Sequence, residues 1–192
     1  MNLNITFEEI ICDPTLMESS LIALSETWLQ PGIVFNIKGF KSHFNSIGSG
    51  KGLALYYKEN IFKPTIEVKE DTIQITKMEA TNLEVITVYK SEKANVSVLL
   101  EHLKTMIKPG IPTVVQGDFN MCYLSNKYNK VTKYLENEGF RQLMHEATHM
   151  KGRIIDHIYF RTDDNNSEAA SIYRYSPYYS DHDAICTTLV TA

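Results

Sequence analysis

Ile111-Pro-Thr-Val-Val-Gln-Gly-Asp-Phe-Asn120 is the stretch on which the reading of this chain turns. Thr113-Val114-Val115 is a β-branched run of the kind that fills a buried strand, and Gly117 ends it. The next residues set a carboxylate and a carboxamide, Asp118 and Asn120, on the turn leaving the strand, with Phe119 placed to turn back into the core. A rigid strand end holds polar groups within the tolerance that metal or phosphate contacts require. Taken alone, the stretch still favours an ordinary strand-to-loop turn, because Gly, Asp and Asn are the usual turn residues for conformational reasons.

On its N-terminal side, Asn95–Ile107 has the helical period, with Val96, Leu99, Leu100, Leu103 and Ile107 on one face and Glu101 and Lys104 outward. Lys108-Pro109-Gly110 stops that helix. Before it, Leu53–Lys58, Ile61–Lys69, Thr72–Glu79 and Leu83–Tyr89 read as strands joined by short turns without helices, the pattern of an antiparallel meander. Tyr89 is either an aromatic strand terminus or a phenol presented to a ligand. Phe35–Phe44 reads as irregular. Gly48-Ser-Gly-Lys-Gly52 lacks the flanks of a phosphate loop and reads as a turn. Leu21–Leu24 is a buried strand, with Glu26 just past its end beside Trp28, the only tryptophan. Glu26 is therefore either a solvated carboxylate near a packed aromatic or a metal ligand on a fixed strand end. Phe7–Cys12 is a short helix, closed by Asp13-Pro14.

On the C-terminal side, Asn126–Glu138 reads as a helix with Tyr128, Val131 and Leu135 on one side and Gly139 as its stop. Arg153–Phe160 reads as a strand in which Asp156 is an acid among apolar residues and needs a partner if buried. Asp163–Glu168 is a polar loop and Ala170–Tyr175 a strand. Tyr179-Ser-Asp-His-Asp183 leads into a last apolar strand, Ala184–Val190.

The 192 residues fit one domain, and 43% hydrophobic with 22% charged residues is an ordinary globular composition. A net charge of −4 argues against binding nucleic acid through a broad basic surface, and is compatible with an enzyme that grips a few phosphates with help from a cation. Cys12, Cys122 and Cys186 are odd in number and lack metal-like spacing, so they are expected to be reduced thiols of an intracellular protein. No apolar run reaches the length of a membrane span, no signal-peptide core is present, and no repeat or linker divides the chain. A monomer is expected.

Polar stations thus recur at or near strand ends: Glu26, the pair Asp118 and Asn120, Asp156, and the pair Asp181 and His182. Leu24-Ser-Glu-Thr-Trp-Leu29, Val88-Tyr89, Gly117-Asp-Phe-Asn120, Ile155-Asp156-His157 and Ser180-Asp-His182 resemble, in order, the motifs of the endonuclease/exonuclease/phosphatase superfamily. The look is nearest to the endonuclease domains of LINE-type retrotransposons and helicase-linked mobile elements, and the resemblance runs from about Phe7 to Val190. It implies an α/β fold, a four-layer α/β sandwich of two mostly antiparallel sheets face to face with helices outside. That agrees with the independent reading of many meander strands and few helices.

The resemblance also implies roles. Glu26 resembles the carboxylate that binds a divalent cation, Mg2+ or Mn2+, and Asp181 a further acid near the metal. Asp118 resembles the residue that orients or activates the attacking water, and Asn120 the amide that helps bind phosphate. His182 resembles the imidazole over the scissile phosphate and Asp156 the carboxylate that fixes its tautomer. Tyr89 resembles a phenol contacting the phosphate, and Thr148 a threonine near the substrate. His43, His102, His145, His149 and His157 match no family position and read as structural or solvated. The implied activity is metal-dependent hydrolysis of a phosphodiester, foremost nicking of DNA by a retroelement endonuclease, nuclear when the genome is its target and part of a larger polyprotein with reverse transcriptase or helicase. The alternatives are a phosphatase or phosphodiesterase acting on a small phosphoester, and a non-catalytic nucleic-acid-binding or interaction relic of the same fold. Members of this family open with a strand that carries an asparagine. Here Phe7-Glu8-Glu9-Ile10 already matches the following helix, so the single domain, 1–192, is expected to lack that strand.

Overall fold

In a computed structural model that describes residues 3–29, 32–46, 52–125, 129–162 and 170–190, the chain forms four helices and eleven strands. They are α1 (Leu3–Ile11), α2 (Pro14–Glu18), β1 (Leu21–Ser25), β2 (Lys41–Ser46), β3 (Gly52–Tyr57), β4 (Lys63–Lys69), β5 (Ile73–Ala80) and β6 (Leu83–Lys90). There follow α3 (Val96–Met106), β7 (Thr113–Asp118), α4 (Lys130–Asn137), β8 (Arg141–Gln142), β9 (Asp156–Arg161), β10 (Ala170–Tyr175) and β11 (Ala184–Leu189). One sheet has six strands in the order β4-β5-β6-β7-β9-β8, and the layer facing it consists of β1-β3-β2 and β10-β11.

The strand run Thr113–Val115 lies at the heart of the larger sheet. Val114 points into the core between the sheets, with Leu53, Leu83, Val85 and Ile158, while Val115 points into the core under α3 and α4. A strand buried on both faces is apolar at successive positions, which is why no alternation marks it in the sequence. A third cluster packs Ile10 of α1 and Leu16 of α2 on Ile22 and Leu24 of β1. Helices therefore cover both outer faces, and the fold is the expected four-layer α/β sandwich.

Pairing is antiparallel except between β6 and β7, where the parallel register joins Val88 to Gly117 and Tyr89 to Asp118. That one parallel step needs a crossover, and α3 supplies it. Asn95 caps α3 by accepting from the Ser97 N–H at 2.9 Å. The buried Lys77 ammonium donates to the Met106 carbonyl at the other end of α3 (3.1 Å) and pairs with Glu84 at 2.7 Å. A carboxylate and a helix C-terminus together neutralise it there.

Several sequence expectations need correction. Lys41–Ser46 is a strand inside and beyond the stretch read as irregular; its single fully buried residue among four half-exposed ones gives no clear alternation. The strand read from Arg153 begins at Asp156, because Arg153 bridges to His149 instead. α4 begins at Lys130, capped by Asn129, rather than at Asn126, and Asn126–Tyr128 lie outside the described residues. So do residues 48–51 of the glycine-rich turn and the whole polar loop Asp163–Glu168. α1 starts at Leu3, ahead of the expected Phe7, and α2 and β8 were too short to leave a period. No described helix is long and apolar enough to cross a membrane.

Candidate active site

Register places the first three side chains. Tyr89, Asp118 and Asp156 are direct neighbours across β6, β7 and β9. Each has the strand parity of the residues that face the opposite layer, Val85, Val114 and Ile158, so all three sit on the inner face of the larger sheet at one end. From the opposite layer, Glu26 follows β1 and His182 precedes β11. The site is thus built where the two layers meet at their open end.

Gly117 makes this register possible. A Cβ there would lie 2.0 Å from the Val88 carbonyl oxygen, and its φ of +130° suits glycine. Phe119, fully buried, turns back into the core as expected and stacks on His157 at 4.8 Å between ring centroids. Glu26 (φ 52°) and Asn120 (φ 49°) both occupy the left-handed region. Asn tolerates it; for Glu it is uncommon, and such outliers gather at functional sites.

The hydrogen bonds fix each group. The Asp118 carboxylate accepts from the Asn120 backbone N–H at 2.9 Å and from its side-chain amide at 3.1 Å. The same amide donates to the Lys90 carbonyl, also at 3.1 Å. The Tyr89 hydroxyl donates to Glu26 Oε1 at 2.9 Å, so the phenol is set against the carboxylate of β1. His182 Nδ1 lies 2.9 and 3.1 Å from the two Asp156 oxygens, leaving Nε2 as the outward nitrogen. Thr148, fully buried, donates to Asp156 Oδ2 at 2.7 Å and accepts from the backbone N–H groups of Ile155 and Asp156 at 3.2 and 3.1 Å. The acid that needed a partner thus has two.

Electrostatics follow from this crowding. Burial and then the negative charge of Asp156 hold the Asp118 carboxyl well above the usual carboxylate range, against the pull of His182 and the Asn120 hydrogen bond. For His182, burial works against the proton, but the Asp156 hydrogen bond and charge win and raise it above an ordinary imidazole. Burial, with Glu26 beside it, raises the Tyr89 phenol, which stays protonated.

Asp118, Asp156 and His182 bring one ligand atom each within 4.8 Å of one another, and so do His149, Asp181 and His182. Glu26 belongs to neither set. The first set, with Glu26 reaching Tyr89 above it, is rich in carboxylate oxygen, the donor that hard divalent cations prefer. Its two carboxylates, Asp118 buried and Asp156 half-buried, repel one another, a strain that a cation relieves, so these residues fit a divalent metal. In the second set the Lys151 N–H donates to His149 Nδ1 at 3.0 Å, which puts the proton of the neutral ring on Nε2. That nitrogen lies 3.3 Å from exposed Asp181, so its N–H faces the carboxylate and is not free to ligate a metal.

Two residues near the site were not legible beforehand. Lys90 is buried; its ammonium donates to the Ser91 carbonyl at 2.9 Å, and burial lowers its pKa despite nearby Asp118. A lysine at a strand end reads as solvated, and nothing in the sequence signals otherwise. His149, read as structural or solvated, is buried edge-on against His182, with ring centroids 4.9 Å apart. Its neighbour Thr148 was the available signal. His157 is structural, donating from Nε2 to the Met121 carbonyl at 2.8 Å.

Residues 6–182 match the Endonuclease/Exonuclease/phosphatase family. No curated protein matches the sequence. Among solved structures, the chain is similar to an AP endonuclease from Archaeoglobus fulgidus, at a TM-score of 0.78 and 12% identity over 99% of this chain and 96% of that one. It is similar to the endonuclease domain of TRAS1, a telomere-specific non-LTR retrotransposon, at a TM-score of 0.70 and 14% identity over 96% and 91%. Truncated Caenorhabditis elegans TDP2 follows at a TM-score of 0.64 and 12% identity over 98% and 91%. At such identities the likeness is one of fold.

Proposed function

We propose that this chain, which belongs to the endonuclease/exonuclease/phosphatase family, hydrolyses the phosphodiester bonds of DNA with a divalent cation, Mg2+ or Mn2+, as the endonuclease of a retroelement. The observation that carries the reading is the convergence of Asp118, Asp156 and His182, with Asp156 bridging His182 and Thr148. The fold-level likeness to a retrotransposon endonuclease domain supports the choice of DNA.

Glu26 would hold the cation, with Asp181 at the rim, and the bound ion would neutralise charge on the phosphate and polarise its oxygen. Asp118, buried and reluctant to ionise, is suited to take a proton from an attacking water. Asn120 is locked by its two amide hydrogen bonds, so its position beside that water does not drift. Protonated His182, oriented by Asp156, offers Nε2–H to a non-bridging phosphate oxygen and stabilises the charge that develops there. Tyr89 orients Glu26 through its hydroxyl. Such an enzyme works in the nucleus when the genome is its target, as a monomeric domain or as part of a polyprotein with reverse transcriptase or helicase.

Nicking of supercoiled plasmid with Mg2+ or Mn2+, and its loss in chelator, tests the reading. His182→Ala and Asp118→Ala are each expected to slow nicking at least about a hundredfold. Cutting that ignores chelator, or near-wild-type rates in both variants, rejects the site. An inositol phosphate as competing substrate distinguishes a small-phosphoester enzyme. Calorimetric Mg2+ titration of the wild type against Glu26→Ala distinguishes a metal-free relic.

A further inference from the structure

Residues 148–150 run antiparallel to residues 181–183. The Met150 N–H donates to the Asp181 carbonyl at 3.0 Å, and the Asp183 N–H to the Thr148 carbonyl at 2.8 Å. These two bonds bracket His149 and His182, which face each other in the bridge. In an antiparallel ladder that is the pair with no backbone hydrogen bond of its own, whose Cα atoms lie about 4.5 Å apart and whose side chains come closest. The two imidazoles accordingly meet edge to face, with centroids 4.9 Å apart and planes at 81°.

Both backbones are tied down. The Thr148 and His149 N–H groups donate to the Arg153 carbonyl at 2.9 and 3.2 Å, and the Gly152 N–H closes the turn on the His149 carbonyl at 2.9 Å. Arg174 of β10 spans the two segments: its guanidinium donates to the Ala147 carbonyl at 3.1 Å, to the Glu146 carboxylate at 2.7 Å and to Asp183. The His149 ring is anchored in turn. Its side chain is only 6% exposed, Nδ1 accepts from the Lys151 N–H at 3.0 Å, and Nε2 faces Asp181. Asp156, by contrast, holds the His182 ring along one edge, at Nδ1, a pairing that leaves the ring free to tilt about that edge. The perpendicular ring of His149 blocks the tilt.

We propose that His149 is a positioning residue for phosphodiester cleavage, the side wall that keeps the His182 imidazole from tilting and its Nε2 aimed at the phosphate. It acts through His182 and not on the phosphate itself. The link to cleavage rests on the function proposed above, whereas the ring packing does not. A competing role for the same residue is purely local, as the acceptor that closes the Lys151 turn. The two roles call for opposite substitutions. His149→Asn keeps an acceptor two residues before the Lys151 N–H and removes the ring. His149→Phe keeps a buried ring and removes the acceptor. Both lose the contact with Asp181, so that contact accounts for no difference between them.

In plasmid nicking at saturating Mg2+, His149→Asn is expected to lower kcat at least about tenfold with KM little changed, and His149→Phe to recover it to within about threefold of wild type. In chelator, 13C relaxation dispersion of the His182 ring is expected to report exchange in the asparagine variant and none in wild type or the phenylalanine variant. Should His149→Asn fail to fold, His149→Gln, which also lacks the ring, takes its place. The reverse order of kcat, or an equal loss in both variants, assigns His149 to the turn or to Asp181 and overturns the proposal. So does a His182 ring as still in the asparagine variant as in wild type. A wild-type chain that cuts no DNA refutes the DNA reading alone, and the ring measurement then decides the role of His149.

Discussion

Replacing Thr148 by Val keeps the shape of a fully buried side chain and removes one oxygen. That oxygen makes three hydrogen bonds: it donates to Asp156 Oδ2 at 2.7 Å and accepts from the Ile155 and Asp156 N–H groups at 3.2 and 3.1 Å. A hydrogen bond to a carboxylate contributes about 1.5–3 kcal/mol, and each buried N–H left without an acceptor costs about 1–3 kcal/mol. The accepted bonds are long and the strand end can relax, so the expected loss is about 3–5 kcal/mol. For a domain of this size each kcal/mol lowers the Tm by about 2–4 °C, which gives a fall of about 6–20 °C by calorimetry or circular dichroism. Thr148→Ser retains the oxygen and loses one methyl, about 1 kcal/mol. A valine variant within about 2 °C of wild type, or a serine variant that falls as far as valine, refutes the assignment of Thr148 as the brace of Asp156.

Gly117→Ala sets a Cβ 2.0 Å from the Val88 carbonyl of the neighbouring strand, whereas Gly110→Ala, also at positive φ, meets nothing within 4 Å. The first is expected to cost at least about 3 kcal/mol and the second about 1 kcal/mol in thermal unfolding, and equal costs would sink the close-approach argument. In chelator, NMR titration of His182 is expected to give a pKa above 6.5, and Asp156→Asn to lower it. Since the folded state holds that proton more tightly than the unfolded chain, the pair's stabilisation is complete below about pH 6.5 and fades as pH rises through the folded value. A His182 pKa unchanged by Asp156→Asn refutes the pairing.

Local pattern was enough to recover the elements that face one environment consistently. The helical period of Val96, Leu99, Leu103 and Ile107 gave α3, and the unbroken β-branched run at Thr113 gave a central strand, because both report on burial along the chain's own axis. Asp156 announced itself as an acid that required a partner, although nothing local could say that His182, 26 residues away, would be that partner. β2 escaped because a half-exposed strand shows little alternation, and Lys90 escaped because its burial is imposed by neighbours distant in sequence. The tertiary structure alone decided that β6 and β7 run parallel, which sets Tyr89, Asp118 and Asp156 in one row. It alone placed His149 against His182 and, among the described residues, paired β1 only with β3 and β11 only with β10. A residue's periodicity fixes which face of its own element it occupies, but which edges meet depends on the pairing of elements far apart along the chain, and that is decided only when the sheets close on their shared core.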